Sequence, residues 1–276
     1  MTQPDDAAAA LGRLRDQLQR AGGTGLRQAF EETLHPADGA DHRRHFPIAD
    51  AGEALVEIPP EEFPRHTPHQ YSTLGAPYPD YSPYHCRASV LRRLRAAQQQ
   101  LRALREGWSI QIFDAYRPLA AQHFMVEHEF TRLTQLRGFE PAAIPAEIEE
   151  AIWQEVFSVW ARPDHDPAMP TPHSTGAALD VTLVDEHGAA VDTGSAIDAF
   201  GAVSRPNHFA LRSDHSGRQA HANRTLLHRA MATAGFQRHP FEWWHFSYGD
   251  QLWALMCWLD APERPRTALF GAARPG

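Results

Sequence analysis

Two stretches of this chain put ionisable side chains where an apolar core has to form, and any fold must reconcile them. The first is Thr171-Pro172-His173-Ser174-Thr175-Gly176-Ala177-Ala178-Leu179-Asp180, which continues into Val181-Thr182-Leu183-Val184. Apolar residues dominate 177–184 as they would in a core strand. Leu179, Val181 and Leu183 then share one face, and Ala178, Asp180 and Thr182 the other. A carboxylate between apolar neighbours in mid-strand needs a cation or strong hydrogen bonds. The second stretch is Phe241-Glu242-Trp243-Trp244-His245-Phe246, expected to open a last core strand over 241–248. On a regular strand Glu242 and His245 point to opposite faces. Both reach one centre only if the chain bends near Trp243 or if Glu242 precedes the regular strand, and such an irregularity is expected here.

Taken alone, each residue has a plainer reading: an aspartate paired with an arginine, a surface histidine, a strand-end arginine. Taken together they point to a metal. His173, Asp180 and His245 supply two imidazoles and a carboxylate, a normal ligand set for one zinc ion per chain with a fourth position open to water. Gly176 lets the backbone turn so that His173 folds back over Asp180. Glu242 is left unliganded beside the ion. It is the candidate base for an acidified water and the candidate acid for a leaving amine. Arg117, in Asp114-Ala115-Tyr116-Arg117-Pro118, is a candidate to stabilise a tetrahedral intermediate, because a guanidinium offers several fixed donors and stays charged.

The rest of the chain narrows the classes. A net charge of -8 over 276 residues argues against a nucleic-acid binder. No lysine is present, which removes Schiff-base, P-loop and Ser-Lys chemistry. Cys86 and Cys257 stand far apart without a CxxC pair, which suits a reducing compartment. No basic n-region or apolar h-region opens the chain and no apolar run is long enough to span a bilayer, so a cytoplasmic protein with no membrane partner is expected.

Leu11, Leu14 and Leu18 predict a helix over 7–21. Residues 22–54 read as polar and irregular, with His35, His42 and His45 as surface residues. Residues 1–54 are therefore expected to form an N-terminal extension and 55–276 the catalytic domain. The proline- and tyrosine-rich stretch 55–85 reads as a long ordered loop able to wall a pocket. Helices are expected over 86–106, 118–136, 145–161, 217–234 and 250–259, and strands over 108–113, 177–184 and 241–248. The fold class is α+β, a central antiparallel sheet flanked by helices. His123 with Glu127, and His221 with His228, read as surface or satisfied residues.

The stretch 114–118, the stretch 173–180 and Glu242-Trp243-Trp244-His245 together resemble the zinc D-alanyl-D-alanine dipeptidases of the VanX type. The motifs stand in that family's order with matching internal spacings, and the resemblance covers about residues 70–250. It implies zinc on His173, Asp180 and His245, Glu242 as general base and acid, and Arg117 at the transition state. It also implies a small closed cavity that takes a dipeptide. Asp198 aligns with the acidic residue that holds the substrate amine. Thr171 keeps a hydroxyl where the family has serine, which implies a contact to the substrate amine, and Tyr116 comes with its motif as a substrate contact. Two alternatives stay open: a related D,D-carboxypeptidase or peptidoglycan endopeptidase, and a catalytically inactive peptide-binding module.

Overall fold

The computed structural model describes residues 4–274. Its N-terminal part is helical: α1 (Pro4–Ala21), α2 (Leu26–Thr33) and α3 (Pro36–Asp41) lead into a 3-10 turn, His42–His45. Then come β1 (Leu55–Glu57), α4 (Gln70–Leu74), β2 (His85–Arg87), α5 (Ala88–Leu104) and β3 (Ser109–Asp114). They are followed by α6 (Leu119–Leu136), α7 (Ala146–Val156), β4 (Ala178–Val184) and α8 (His215–Thr233). The chain closes with β5 (Gln237–Arg238), β6 (His245–Ser247) and α9 (Gln251–Asp260).

The fold is α+β. One antiparallel sheet has the order β3-β4-β6-β5, and β1 and β2 pair separately. Leu179, Val181, Leu183 and Phe246 lie in the main core with Val90, Leu94 and Leu101 of α5 and Leu227 and Met231 of α8. Burying each such side chain contributes about 1.5–3 kcal/mol, so the sheet face opposite Asp180 anchors the fold. The Asp180 face is left for polar groups. Helix starts carry the expected caps: Asp214 accepts from the Gly217 N–H and Asp250 from the Trp253 N–H.

Four expectations need correction. Residues 22–54 are not irregular, since α2, α3 and the 3-10 turn lie there. In α2, Leu26, Ala29 and Phe30 stand at helical spacing, but these helices are too short to be stable alone and hold their shape by tertiary packing. His42 and His45, expected at the surface, are half-buried in that turn. The proline-rich stretch 55–85 also contains β1 and α4. Finally, the last strand is confined to His245–Ser247 and does not span 241–248, while Glu242 precedes it, one of the two irregularities expected. Ring burial explains this: Phe241, Trp243 and Trp244 are each 1% exposed, and an alternating strand cannot bury three such neighbours in two different cores. Phe241 joins the N-terminal cluster, while Trp243 and Trp244 join the main core.

The N-terminal helices pack on α9. Leu14, Leu18, Phe30 and Phe46 share a buried cluster with Phe241, Leu252 and Leu255. Phe30 stacks on Phe241 at 6.0 Å between centroids. The amide of Gln251 donates to the Phe46 carbonyl at 2.8 Å. Gly39 lies so close that a Cβ there would stand 2.8 Å from the Phe241 ring.

Candidate metal centre and its cavity

The register of β4 and β6 assembles the site. Asp180 lies directly opposite His245, and Ala178 opposite Ser247. Paired residues share a sheet face, so Asp180, His245 and Ser247 all point away from the main core. His173 arrives from the 3-10 turn Pro172–Thr175, which ends at Gly176 with φ 70. The left-handed conformation favours glycine there. A Cβ at Gly176 would also stand 2.2 Å from Leu55 Cδ2.

Three side-chain atoms converge. His173 Nε2 is 3.1 Å from His245 Nδ1 and 3.2 Å from Asp180 Oδ2, and His245 Nδ1 is 3.1 Å from Asp180 Oδ1. The remaining hydrogen bonds decide what these atoms offer. His173 Nδ1 lies 2.7 Å from the Ala115 carbonyl, which only accepts, so Nδ1 carries the proton. Ser247 donates to Asp250 at 2.7 Å, so its oxygen accepts from His245 Nε2 at 3.3 Å. Both nitrogens facing Asp180 are therefore bare lone pairs. Three acceptors packed together, all buried, call for a cation between them. Tetrahedral ligands of an ion with bonds of about 2.0–2.1 Å stand about 3.3 Å apart, close to the triangle found here. His173, Asp180 and His245 are also the one group of this kind among the described residues whose donor atoms could hold a metal.

The electrostatics agree. Burial opposes ionisation of Asp180, but His173 and His245 overcome it and hold the carboxyl well below its usual range. Burial likewise opposes charging His173, yet Asp180 raises its pKa, so without a metal a proton is drawn into the cluster.

Glu242 stands beside the triangle and outside it. Its Oε2 is 3.8 Å from His245 Nδ1 and its Oε1 is 3.5 Å from His239 Nδ1. Burial, then Asp180 and Asp198, push its pKa well above the ordinary carboxylate value.

Arg117 is placed by a β-bulge. Ile112 pairs with Val181, but the next pair is Asp114 with Asp180, so Phe113 is the extra residue. The slip turns Asp114 onto the site face. Arg117 then donates from Nε to Asp114 at 2.9 Å, from Nη1 to Gln122 at 3.0 Å, and from Nη2 to Asp180 at 3.1 Å and Tyr71 at 3.4 Å. Burial disfavours this charge, but Asp114 and its neighbours keep the guanidinium protonated.

Asp198 also faces the cavity. It adopts φ 62, a left-handed conformation unusual for a residue other than glycine, and its Oδ2 accepts from Tyr71 at 2.7 Å. The residue is half-buried, with its carboxyl against the Tyr71 hydroxyl. Burial and then Asp180 push its pKa up to about 7. Its loop is clamped from α8 and from the aromatic motif: Arg224 Nε donates to the Thr193 carbonyl at 2.7 Å, and Trp243 Nε1 to Ser195 Oγ at 3.0 Å.

The cavity encloses about 60 Å³ and is lined by His173, Asp180, Glu242, His245, Arg117, Asp198 and Thr171, among others. On the measure by which one water needs about 10–15 Å³, this suits a small polar molecule. Tyr116, expected at the substrate, is not among the lining residues; its ring packs edge-on against Tyr81 at 5.6 Å. It is adjacent to Arg117 in sequence, and the chain direction sends the two side chains to opposite sides.

Sequence reasoning missed several contributors. Tyr71 lies in a stretch expected to be loop, and Asp114 stands in the arginine motif with no role that its spacing reveals. His239, Ser247 and Asp250 stand close to the second motif but carry no spacing signal. Arg43, from the N-terminal segment, also lines the cavity.

Comparison with known proteins agrees with this geometry. A family model described as D-ala-D-ala dipeptidase matches residues 65–261. A D-alanyl-D-alanine dipeptidase of Synechocystis sp. is 43% identical over 231 residues, covering 82% of this chain and 94% of that protein. One from Escherichia coli is 33% identical over 122 residues, covering 41% of this chain and 58% of that protein. One from Enterococcus faecalis is 34% identical over 85 residues, covering 30% of this chain and 40% of that protein.

Proposed function

This chain belongs to the D-ala-D-ala dipeptidase family of peptidases, and we propose that it hydrolyses D-Ala-D-Ala or a closely related D-amino-acid dipeptide in a zinc-dependent reaction. The observation that carries the reading is the triangle of His173 Nε2, Asp180 and His245 Nδ1 at 3.1–3.2 Å, with the opposite ring nitrogens of both histidines spent on other acceptors. Two nitrogens and one carboxylate oxygen fit zinc by donor type and number.

A zinc ion held there would supply Lewis-acid chemistry, making water more acidic and polarising the scissile carbonyl. Glu242 takes the proton of the attacking water and later passes it to the departing amine, so that the C–N bond breaks and one water is consumed. Its raised pKa suits a group that both accepts and returns a proton. Arg117 has three of its nitrogens committed to neighbours, which leaves one Nη1 hydrogen for the developing oxyanion. Asp198, braced by Tyr71, takes the substrate ammonium. The small volume of the cavity favours a free dipeptide over a strand of peptidoglycan. Glycan-linked substrates need a groove open at both ends.

A panel of D,D, L,L and L,D dipeptides, assayed with and without a chelator, tests the reading. The expected result is turnover of the D,D member, lost with the chelator and restored by zinc. Equal turnover of all stereoisomers, or turnover indifferent to the chelator, would contradict it.

A further inference from the structure

A dipeptide carries two charged ends, and the cavity holds more than one arginine to meet them. Arg117 is held by Asp114, Asp180, Gln122 and Tyr71, and its one remaining hydrogen serves the oxyanion. Arg43 is different. It is 4% exposed and lines the same cavity, yet it comes from the N-terminal 3-10 turn, outside the family-matched residues 65–261. Its Nη1 donates to the Pro170 carbonyl, and among the described residues no carboxylate lies within 4.0 Å of its guanidinium. A buried guanidinium with a single neutral acceptor is costly unless an anion completes it. Burial disfavours its charge and Asp250 is the foremost opposing influence, but Asp250 already accepts from Ser247 and from the Trp253 N–H.

A second orphan stands next to it. Thr171 follows Pro170, lines the cavity and is 1% exposed, and its Oγ1 has no hydrogen-bond partner. A buried hydroxyl is rarely left so. Arg43, with one neutral acceptor, and Thr171, with none, both line the cavity with donors to spare. Arg43 also acts on His239, whose charge is disfavoured first by burial and then by His245, with Arg43 adding to the effect. Asp198 has its own partner in the cavity, the Tyr71 hydroxyl at 2.7 Å, and among the described residues it makes no hydrogen bond or ion pair with Arg43. The cavity wall thus offers an acidic group, Asp198 on Tyr71, for an ammonium and a separate basic group, Arg43 on Pro170, for a carboxylate.

We propose that Arg43 binds the C-terminal carboxylate of the dipeptide, with the Thr171 hydroxyl serving that carboxylate rather than the amine, so that the N-terminal segment completes the active site and sets its specificity for a free C-terminus. The assignment rests on the dipeptidase reading and deepens it. The packing of Gly39 on Phe241 and of Phe46 on α9 holds the turn in place for this role.

The test compares D-Ala-D-Ala with its C-terminal amide in wild-type, Arg43→Gln, Arg43→Lys and Thr171→Val proteins. In parallel, calorimetry measures binding of both compounds to the Glu242→Gln protein with and without Arg43→Gln. A lost hydrogen bond to a charged group predicts that Arg43→Gln lowers kcat/KM for the free acid about 10- to 100-fold. The amide should change less than about threefold, Arg43→Lys should recover part of the loss, and the binding constants should show the same split. Equal losses for acid and amide would assign Arg43 a purely structural role and overturn the proposal, as would no loss for either. Wild-type protein that cleaves neither compound would instead overturn the dipeptidase reading and this assignment with it. That outcome is distinct from active protein that ignores the carboxylate.

Discussion

Asp198→Asn separates stability from function. Asparagine keeps the size of the side chain, tolerates the left-handed φ of 62 and still offers Tyr71 an acceptor. Only the charge is removed. The folded carboxyl has its pKa raised from 3.8 to about 7, so the folded protein holds its proton more tightly than the unfolded chain. Stability is therefore full below pH 3.8, falls as pH rises towards about 7, and then levels off. Each tenfold gain in proton affinity is worth about 1.4 kcal/mol, so the rise to about 7 costs the metal-free protein about 4 kcal/mol at pH 8 and about 1 kcal/mol at pH 4.5. Asp198 is only half-buried, so solvent screening brings the pH 8 figure to about 2 kcal/mol, or roughly 4–8 °C in Tm. Chelator-treated Asp198→Asn should thus melt higher than wild type at pH 8 and nearly level with it at pH 4.5. The metal-loaded variant should lose about 10- to 100-fold in kcat/KM for D-Ala-D-Ala through the lost ammonium contact. Thermal melts at both pH values and one kinetic series decide the matter. A variant with no pH-dependent gain, or with kcat/KM within about threefold of wild type, refutes the reasoning.

Glu242→Gln should retain metal by elemental analysis while kcat falls about 10²- to 10⁴-fold, the usual contribution of a positioned acid–base group. His173→Ala and His245→Ala should each lose the metal, and full occupancy in either would end the ligand assignment. Ser247→Ala removes the acceptor that keeps the proton on His245 Nε2, so metal affinity should fall about 10- to 100-fold in a competition titration while the fold is kept.

Some of this was legible in the residues. The α+β class followed from short strands interleaved with helices without regular crossovers. The donor set followed from charge in an apolar context: a core can accommodate Asp180 in an apolar strand run and His245 between aromatics in few ways besides metal ligation. Even the break in strand geometry ahead of His245 was required by the odd spacing of Glu242, and the structure has it. Helix α1 and the leucine face of α5 were visible because periodicity within one segment reports which side is buried.

Other features arose only between segments. The bulge at Phe113 that turns Asp114 towards Arg117 depends on how β3 meets β4, and no local pattern records it. The pairing of Asp180 with His245 is a matter of register, set by hydrogen bonds across residues 65 positions apart. Tyr71 lay in a stretch whose prolines masked the short helix carrying it, and Arg43 in one whose helices are too brief to be stable alone. Side-chain type and local spacing state what a segment can offer. Which offers meet at one point is decided by packing among distant parts of the chain, because only there are the buried charges brought within reach of one another.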